Sequence, residues 1–213
     1  RYRLYSVGAA LGGSIARPWG ERNLRLTMSL DAIGESFRDR DVRTGAAGAA
    51  GDRLSGRVRT VGEFAWRQLT LTTAINLELA AQRPVGNPGP FAELPSASFD
   101  AMANPTASVR WLDGDVALKS NLAAYTRLPT VMEMFGDRGF TVGNPALVAE
   151  RGWLADAGVV WAPDRGLGSV DRIVAEAVGF WGRARDTIAM ASTTGVVARA
   201  ENLGGSTSMG TEA

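Results

Sequence analysis

The sequence predicts an all-β fold, an antiparallel up-and-down transmembrane β-barrel to which this chain contributes about ten strands. Three observations predict it. Apolar and polar residues alternate with a period of two, the connections alternate between short and long, and tryptophans close several strands just before a short connection. Helical periodicity is nearly absent. No segment approaches the run of about 18 apolar residues that predicts a transmembrane helix, whereas a barrel strand crosses a bilayer with only about 9–11 residues.

The strands follow one another along the whole chain. Leu24–Ala32 has apolar residues at even positions and polar residues at odd positions, and Leu69–Leu79 shows the same alternation with the opposite parity. Each therefore predicts a strand with one apolar and one polar face. Weaker alternation predicts further strands at Tyr5–Leu11, Leu54–Trp66, Ala107–Trp111, Val116–Ala124, Trp153–Trp161, Asp171–Arg183 and Val196–Asn202.

The connections fall into two classes, as in outer-membrane barrels, which have short periplasmic turns and longer extracellular loops. Short connections are predicted at Arg17–Arg22, Arg67–Gln68, Leu112–Asp115, Pro163–Ser169 and Gly205–Met209, and long ones at Glu35–Arg53, Gln82–Asn104 and Leu128–Arg151. The connection near Ala191–Gly195 is an exception, because it is short where a long one is due. Within the long connections, Gly45–Gly51 and Arg83–Pro95 are rich in Gly, Ala or Pro, and we expect neither to hold a strand ladder.

Trp66, Trp111 and Trp161 each close a strand immediately before a short connection, on the apolar parity of that strand. Tryptophan favours positions where one end of its ring system is wet and the other is apolar. Three such residues at one level predict an aromatic girdle at the inner membrane interface. The alternative is that they are core residues of a soluble β-sandwich, whose strands also alternate.

The polar parity of the predicted strands carries charged and amide side chains. In a barrel this face lines the lumen, which is polar. The lumen-facing candidates are Arg25, Asp31, Arg57, Arg59, Glu63, Asn76, Glu78, Lys119 and Asn121. We interpret them as a solvated wall rather than as individual ligand contacts.

Composition excludes several classes of function. The chain has 213 residues with no Cys and no His, so it has no thiol nucleophile, disulfide, Cys-ligated metal site or imidazole ligand. A formal charge of +1 argues against a nucleic-acid partner. We therefore predict no catalytic residue, no metal site and no cofactor.

The second half of the chain carries a set of ordered landmarks. They are Arg127, Pro129, Thr130, Glu133, Phe135, Gly143, Asn144, Pro145, Leu147 and Glu150, followed by Asp186, Ile188, Asn202, Gly210 and Glu212. In this order and spacing they resemble the barrel of TonB-dependent outer-membrane receptors. Thr126 and Leu128 depart from that pattern, because an aromatic residue and an alanine usually flank the arginine.

These landmarks are interpreted as architecture rather than chemistry. Pro129 lacks a ladder donor, so the chain is expected to leave the sheet there. Gly143–Pro145 would then reverse it, and Glu150 would mark its return to the membrane. Gly210 and Glu212 are expected to begin an outgoing strand whose partner lies beyond residue 213.

The resemblance implies that residues 1–213 are part of a larger receptor barrel of about 22 strands. The plug domain, the signal peptide and the C-terminal strands would lie outside them. It also implies energy-coupled uptake of a scarce solute across the cell outer membrane of a Gram-negative bacterium, a ferric siderophore being the default.

Partners implied by the resemblance are outer-membrane lipid, the inner-membrane energy-coupling protein TonB acting through the plug, and a metal chelate or other small molecule as ligand. Haem is disfavoured, because haem receptors of this kind carry a histidine in the segment that corresponds to Val131–Val142, where this chain has none.

Two other classes of protein remain open from the residues alone. A passive porin or autotransporter barrel would share the alternation and the tryptophans, but it would not require the landmarks from Pro129 to Glu212. A secreted β-sandwich adhesin or carbohydrate-binding module would share the strands, but not such regular short and long connections. An enzyme is the weakest alternative, because no carboxylate pair stands out.

Overall fold

A computed structural model describes residues 2–40, 47–86, 98–136, 141–163, 173–192 and 198–213. They form one ten-stranded sheet and one short helix, α1, at Val131–Phe135. The strands are β1 (Tyr2–Trp19), β2 (Arg22–Arg40), β3 (Ala47–Trp66), β4 (Leu69–Gly86), β5 (Ser98–Asp113), β6 (Val116–Arg127), β7 (Thr141–Val142), β8 (Glu150–Trp161), β9 (Ala175–Ser192) and β10 (Ala198–Glu212). The all-β prediction is confirmed.

The sheet is an up-and-down meander. Its order is β1-β2-β3-β4-β5-β6-β8-β9-β10-β7, and every long strand is antiparallel to its neighbours. Only the two-residue β7 departs from this rule, since it runs parallel to the start of β10. The predicted antiparallel connectivity is therefore confirmed.

Three of the predicted short connections are two-residue turns, which join β1 to β2, β3 to β4 and β5 to β6. Each contains one residue at positive φ, namely Gly20 at 61°, Arg67 at 50° and Gly114 at 54°. Glycine reaches this conformation without steric cost, which suits two of the turns. The predicted turn at 163–169 and the connection near 191–195 lie largely outside the described residues.

The strands extend further toward the long connections than predicted. Residues 47–51 belong to β3 and residues 83–86 belong to β4, so the expectation that neither segment could hold a ladder is wrong for these residues. Phe37 of β2 pairs with Gly51, which pairs in turn with Pro84. The ladder consists of main-chain hydrogen bonds, so neighbouring strands can order Ala and Gly residues that show no alternation.

Two predictions near the end of the chain are also wrong. The segment 205–209 is not a turn, and Gly210 and Glu212 do not begin an outgoing strand, because β10 runs without a break in direction from Ala198 to Glu212. Gly210 pairs with Phe180 of β9 near the end of the same strand. The Gly and Ser residues of this segment are typical of turns, but the 18-residue β9 offers them backbone partners along its length. Strand β9 itself begins at Ala175, four residues after the predicted start at residue 171.

The sheet is strongly curled. Six strand spacings separate β3 from β10, and in a flat sheet they would lie about 29 Å apart. Both strands nevertheless contact α1, whose five residues span only about 7.5 Å. The helix therefore lies on the concave face of a sheet that curves around it.

The convex face carries most of the large apolar side chains. Leu11 and Ile15 of β1 are 77% and 74% exposed, and none of the larger side chains described is fully buried. A water-soluble protein buries such residues, whereas here the apolar surface faces outward. No helix among the described residues is long and apolar enough to span a membrane.

Expressed alone, the 213-residue chain should aggregate in water unless detergent is present. Strand β1 at one end of the sheet pairs only with β2, and an unpaired strand edge beside an apolar surface promotes association between chains. Size-exclusion chromatography with light scattering, with and without detergent, measures this. A monodisperse soluble monomer that melts cooperatively would contradict the barrel interpretation.

Candidate functional site

The concave face is crossed by residues 128–149, which connect β6 to β8. We call them the crossing segment; its described parts are 128–136 and 141–149. Helix α1 begins with a capping box, in which the Thr130 hydroxyl accepts a hydrogen bond from the Glu133 amide at 3.2 Å and the Glu133 carboxylate accepts one from the Thr130 amide at 2.7 Å. Reciprocal capping stabilises a helix of only five residues at the point where Pro129 ends the strand ladder.

Arg127, at the end of β6, links the crossing segment to the sheet. Its Nη1 lies 3.1 Å from Oε2 of Glu133, its Nε lies 3.6 Å from Oε2 of Glu150, and its Nη2 donates to the carbonyl of Ile188 at 3.2 Å. Strand β8 lies between β6 and β9, so this side chain reaches across one strand to the next. One guanidinium thereby joins a helix and three strands.

Glu150 is the central acceptor of this group. It is 9% exposed, and its carboxylate accepts hydrogen bonds from the Tyr125 hydroxyl at 2.9 Å and from the Ile188 amide at 3.1 Å. A buried carboxylate is tolerated only with such partners, because an unpaired buried charge is costly. We call Tyr125, Arg127, Glu133 and Glu150 the Arg127 cluster.

Hydrogen bonding also alters the acidity of Glu133. Burial by itself would raise the pKa of this carboxyl, but hydrogen bonds from the Thr130 backbone and from Arg127 outweigh burial and hold the pKa below its usual range. The carboxylate is therefore ionised wherever the cluster is formed at neutral pH.

The second half of the crossing segment is fastened by two asparagines. The side-chain Nδ2 of Asn144 donates to the carbonyl of Ala200 at 2.9 Å, and the backbone amide of Asn144 donates to the carbonyl of Glu133 at 2.9 Å. Asn202 of β10 exchanges two hydrogen bonds with the backbone of Val148, at 2.9 and 3.0 Å. Its Nδ2 also donates to the carbonyl of Asp186 at 2.7 Å.

The opposite side of the crossing segment packs on β2 and β3. The rings of Phe135 and Phe37 stack with centroids 5.7 Å apart. Phe135 lies directly over Gly51, where an added Cβ would come within 2.4 Å of its ring. Arg53 donates a hydrogen bond to the Pro129 carbonyl. The segment therefore bridges β2 and β3 to β10 across the concave face.

Gly143 allows a close approach within the crossing segment itself. A Cβ on Gly143 would lie 2.4 Å from the carbonyl carbon of Phe135 and 2.5 Å from the oxygen of Met134. Pro145 and Leu147 follow and line a cavity of about 650 Å³, whose wall also includes residues near the ends of β3, β4 and β5 together with Arg151 of β8 and Asp186 of β9. Polar groups on its wall include Arg53, Gln82 and Asp100.

The strand register places all nine predicted lumen-facing residues on the concave face, the face that carries Gly51 and Arg53. Several are paired with one another or with neighbours. Arg57 lies 3.8 Å from Asp31 and 3.2 Å from Glu78. Asn121 donates to Asp156 at 2.6 Å, and Lys119 forms an ion pair with Glu176. Arg25 lies opposite Glu63, and Arg59 lies opposite Asn76.

Tryptophans form a row on the convex face beside the short turns. Trp66 and Trp111 both lie opposite Leu69, and Trp161 lies opposite Val116 near the start of β6. Sequence reasoning left out Trp19, which belongs to the same row. The guanidinium of Arg22 lies 5.7 Å from the ring centroids of both Trp19 and Trp66.

Two contributors to the site escaped the sequence analysis. Tyr125 takes part in the Arg127 cluster, and it lies on the same face as Arg127 because the two are two residues apart in a strand. Arg53 falls on the polar parity of β3 with Arg57, but it lay inside a predicted loop. Period-two parity, continued beyond the predicted strand ends, would have indicated both.

The described residues contain no group of three or more acidic side chains placed to hold a metal ion. Several polar groups of the concave face are paired with one another. Such an arrangement can fasten a loop and line a wall.

Comparison with known proteins gives a family and a fold. Residues 4–213 match the family model described as TonB dependent receptor-like, beta-barrel. No curated protein sequence matches the chain.

Among solved structures, a double mutant of the Serratia marcescens hemophore receptor HasR, in complex with its hemophore HasA and heme, is 17% identical with a TM-score of 0.75. Copper transporter OprC is 16% identical with a TM-score of 0.66, and the FrpB iron transporter from Neisseria meningitidis (F3-3 variant) is 14% identical with a TM-score of 0.65. Each match covers 99% of this chain but only 39%, 34% and 32%, respectively, of the other. The chain thus shares their fold over about a third of their length.

Gly51→Ala should detach Phe135 from β3 in the full-length protein, because the added methyl group would overlap the ring. Overpacking of this kind costs about 1–3 kcal/mol. Faster amide exchange of residues 131–136 would report it. Gly56→Ala is the matched control on the same strand, since its Cβ would meet only Asp31 O at 4.0 Å. Equal exchange in the two variants would contradict the contact.

Acidification should loosen α1 through Glu133. Because the folded state lowers the pKa of Glu133, its contribution to stability is present above the pKa that this carboxyl has in the unfolded chain and is lost as the pH falls through its lower pKa in the folded state. Amide exchange of residues 130–136 between pH 6 and pH 3 measures this loss. Glu133→Gln should remove that part of the pH dependence, and an unchanged profile in this variant would assign the effect to other groups.

Proposed function

The chain belongs to the TonB-dependent receptor family, and on that premise we propose that it forms part of the barrel wall of an outer-membrane active transporter. The carrying observation is the family match over residues 4–213. The curled antiparallel sheet, with an apolar convex face and a polar concave face, supports the same assignment.

In this proposal the convex face meets lipid and the concave face lines the lumen. The tryptophan row, including Trp66, Trp111 and Trp161, lies at the periplasmic interface beside the two-residue turns. Long strands such as the 20-residue β3 exceed the roughly 9–11 residues needed to cross a bilayer. Their far ends, with the crossing segment, would therefore stand on the extracellular side.

The concave face supplies a wall rather than a solute site along most of its height. Arg57 is paired with Asp31 and Glu78, and Lys119 with Glu176, so these charges are compensated within the wall itself. In the full-length receptor these side chains would contact the plug domain or water. Residues outside this chain would supply the plug and about half or more of the barrel.

The family landmarks act in this proposal as fasteners of the crossing segment. Arg127, Glu150, Asn144 and Asn202 make their contacts with backbone groups or with one another. Fixing a long connection across the upper lumen would shape the cavity of about 650 Å³ at its edge. In the described part of the chain, this cavity would be a place where a solute entering from outside meets the barrel wall.

We propose a metal chelate, and first a ferric siderophore, as the solute. The similar structures are described as a hemophore receptor, a copper transporter and an iron transporter, and a metal-bearing solute is common to them. The chain has no histidine to ligate haem iron directly. Uptake would be driven by the inner-membrane protein TonB in a Gram-negative cell, and the barrel itself would perform no covalent chemistry.

Uptake of a ⁵⁵Fe-labelled hydroxamate or catecholate siderophore by cells that express the full-length receptor tests this function. Transport should saturate at low concentration and should stop when TonB is deleted. A passive porin would instead give uptake that rises in proportion to solute concentration and is unaffected by that deletion. Binding of copper or haem, with no binding of either siderophore, would support an active transporter but would show that its solute is not a ferric siderophore.

A further inference from the structure

Three arginines form a cluster on the convex face of β8 and β9. Arg151 pairs directly with Arg185, and Arg183 pairs with Trp153 in the next outward-facing row. Glu150 points to the concave face, where it meets the Arg127 cluster, so the alternation of β8 gives Arg151 the convex parity; Arg151 also borders the cavity beside the crossing segment. All three arginines are exposed.

The positive charge of this cluster is not compensated within the described part of the chain, where none of the three guanidinium groups has an ion pair or a hydrogen bond. Like charges directly opposite each other across two strands are destabilising. Asp186 follows Arg185 in sequence but is not paired with it. On the concave face Arg53, Arg57 and Arg127 have acidic partners, whereas Arg25, Arg59 and Arg110 form no ion pair with a described residue.

An apolar groove lies beside the cluster on the same face. It has a volume of about 660 Å³ and crosses β4, β5 and β6. Its outward-facing lining includes Thr73, Pro105, Ala107, Leu122 and Trp153. Trp153 forms one wall, and its ring packs against Trp181 with centroids 3.8 Å apart. Trp153 therefore separates the groove from Arg183.

The position of the cluster along the strand fits a membrane boundary. Trp153 is eight residues above Trp161 in β8, which is about 26 Å along the strand and about 19 Å along the membrane normal for a tilt near 45°. The convex residues between them are Ala155, Ala157 and Val159, and charge begins at Arg151. The arginines thus lie at the outer edge of an apolar band.

We propose that this face binds a phosphate-bearing lipid of the outer leaflet, with an acyl chain in the groove and a phosphate on the three arginines. The proposal rests on the outer-membrane function proposed above. Guanidinium groups match phosphate oxygens in a bidentate manner, and a phosphate would relieve the repulsion between Arg151 and Arg185. The adjacent groove gives the acyl chain an apolar surface with a defined shape.

The test uses the full-length receptor in dodecyl maltoside and bisphosphorylated lipid A as the probe, with the same lipid freed of both phosphates as the control ligand. Native mass spectrometry gives the fraction bound. Changing Arg151, Arg183 and Arg185 together to Gln should weaken binding of the phosphorylated lipid about a hundredfold. The dephosphorylated lipid should bind the wild-type receptor more weakly and should not respond to these changes.

Arg17→Gln is the matched control, because Arg17 is an exposed convex-face arginine at the opposite end of the strands, and it should leave binding unchanged. Ala107→Phe should fill the groove and weaken binding of both lipids. Arg185→Gln alone should leave the barrel folded, since it removes one of the two like charges that face each other at Arg151 and Arg185. It therefore serves as a second variant in case the triple variant does not fold. Heat-modifiable gel mobility checks that each barrel is folded.

Equal binding of phosphorylated lipid A by the triple variant and the wild-type receptor would overturn the lipid site. A second result would also overturn it. If the receptor forms a dimer, and Ala107→Phe dissociates that dimer without reducing the bound lipid, the groove belongs to a second copy of the receptor. If lipid binding fails this test while the wild-type receptor imports its solute, the lipid site is wrong and the proposed function stands. If the wild-type receptor is absent from the outer membrane, the proposed function itself is wrong.

Discussion

The structure depends on the continuous main-chain ladder from β1 to β10. Each long strand inside the sheet has a hydrogen-bonded neighbour on both sides over part or all of its length, and three two-residue turns keep consecutive strands adjacent. A membrane offers no water to backbone groups, so a spanning sheet must supply every partner itself. This constraint explains why Pro105 lies in β5 just where its pairing with β6 ends at Thr106, since proline has no amide to donate.

The same constraint reverses the usual arrangement of apolar and polar residues. Once backbone pairing holds the sheet together, the large apolar side chains need not form a core, and they cover the convex face instead. Many charged side chains lie on the concave face, and several are paired there with neighbours on adjacent strands, as Arg57 is with Asp31 and Glu78. Arg151, Arg183 and Arg185 lie on the convex side near Trp153 without an acidic partner among the described residues. Their unpaired charge is the reason for proposing an anionic ligand on that side.

The crossing segment ties together strands that the ladder leaves far apart. Its contacts run from Phe37 and Arg53 on one side to Ala200 and Asn202 on the other. Apolar contacts contribute to this attachment, since Val131 and Met134 are buried and Phe135 stacks on Phe37. Hydrogen bonds add to it, each contributing about 0.5–1.5 kcal/mol between neutral groups and about 1.5–3 kcal/mol where one group is charged. Landmarks such as Arg127, Asn144, Glu150 and Asn202 bind backbone groups in a fixed geometry.

The sequence by itself determined the fold class, the direction of the strands and the faces of their side chains, because period-two alternation is a local property of each strand. It also indicated the short turns and, through ordered landmarks, the family. Only the tertiary structure decided where the strands end, that 205–209 continues β10, and that Arg127 reaches Glu133, Glu150 and Ile188. Strand ends and such contacts depend on what a neighbouring strand offers, and register between distant segments leaves no periodic signal in the chain.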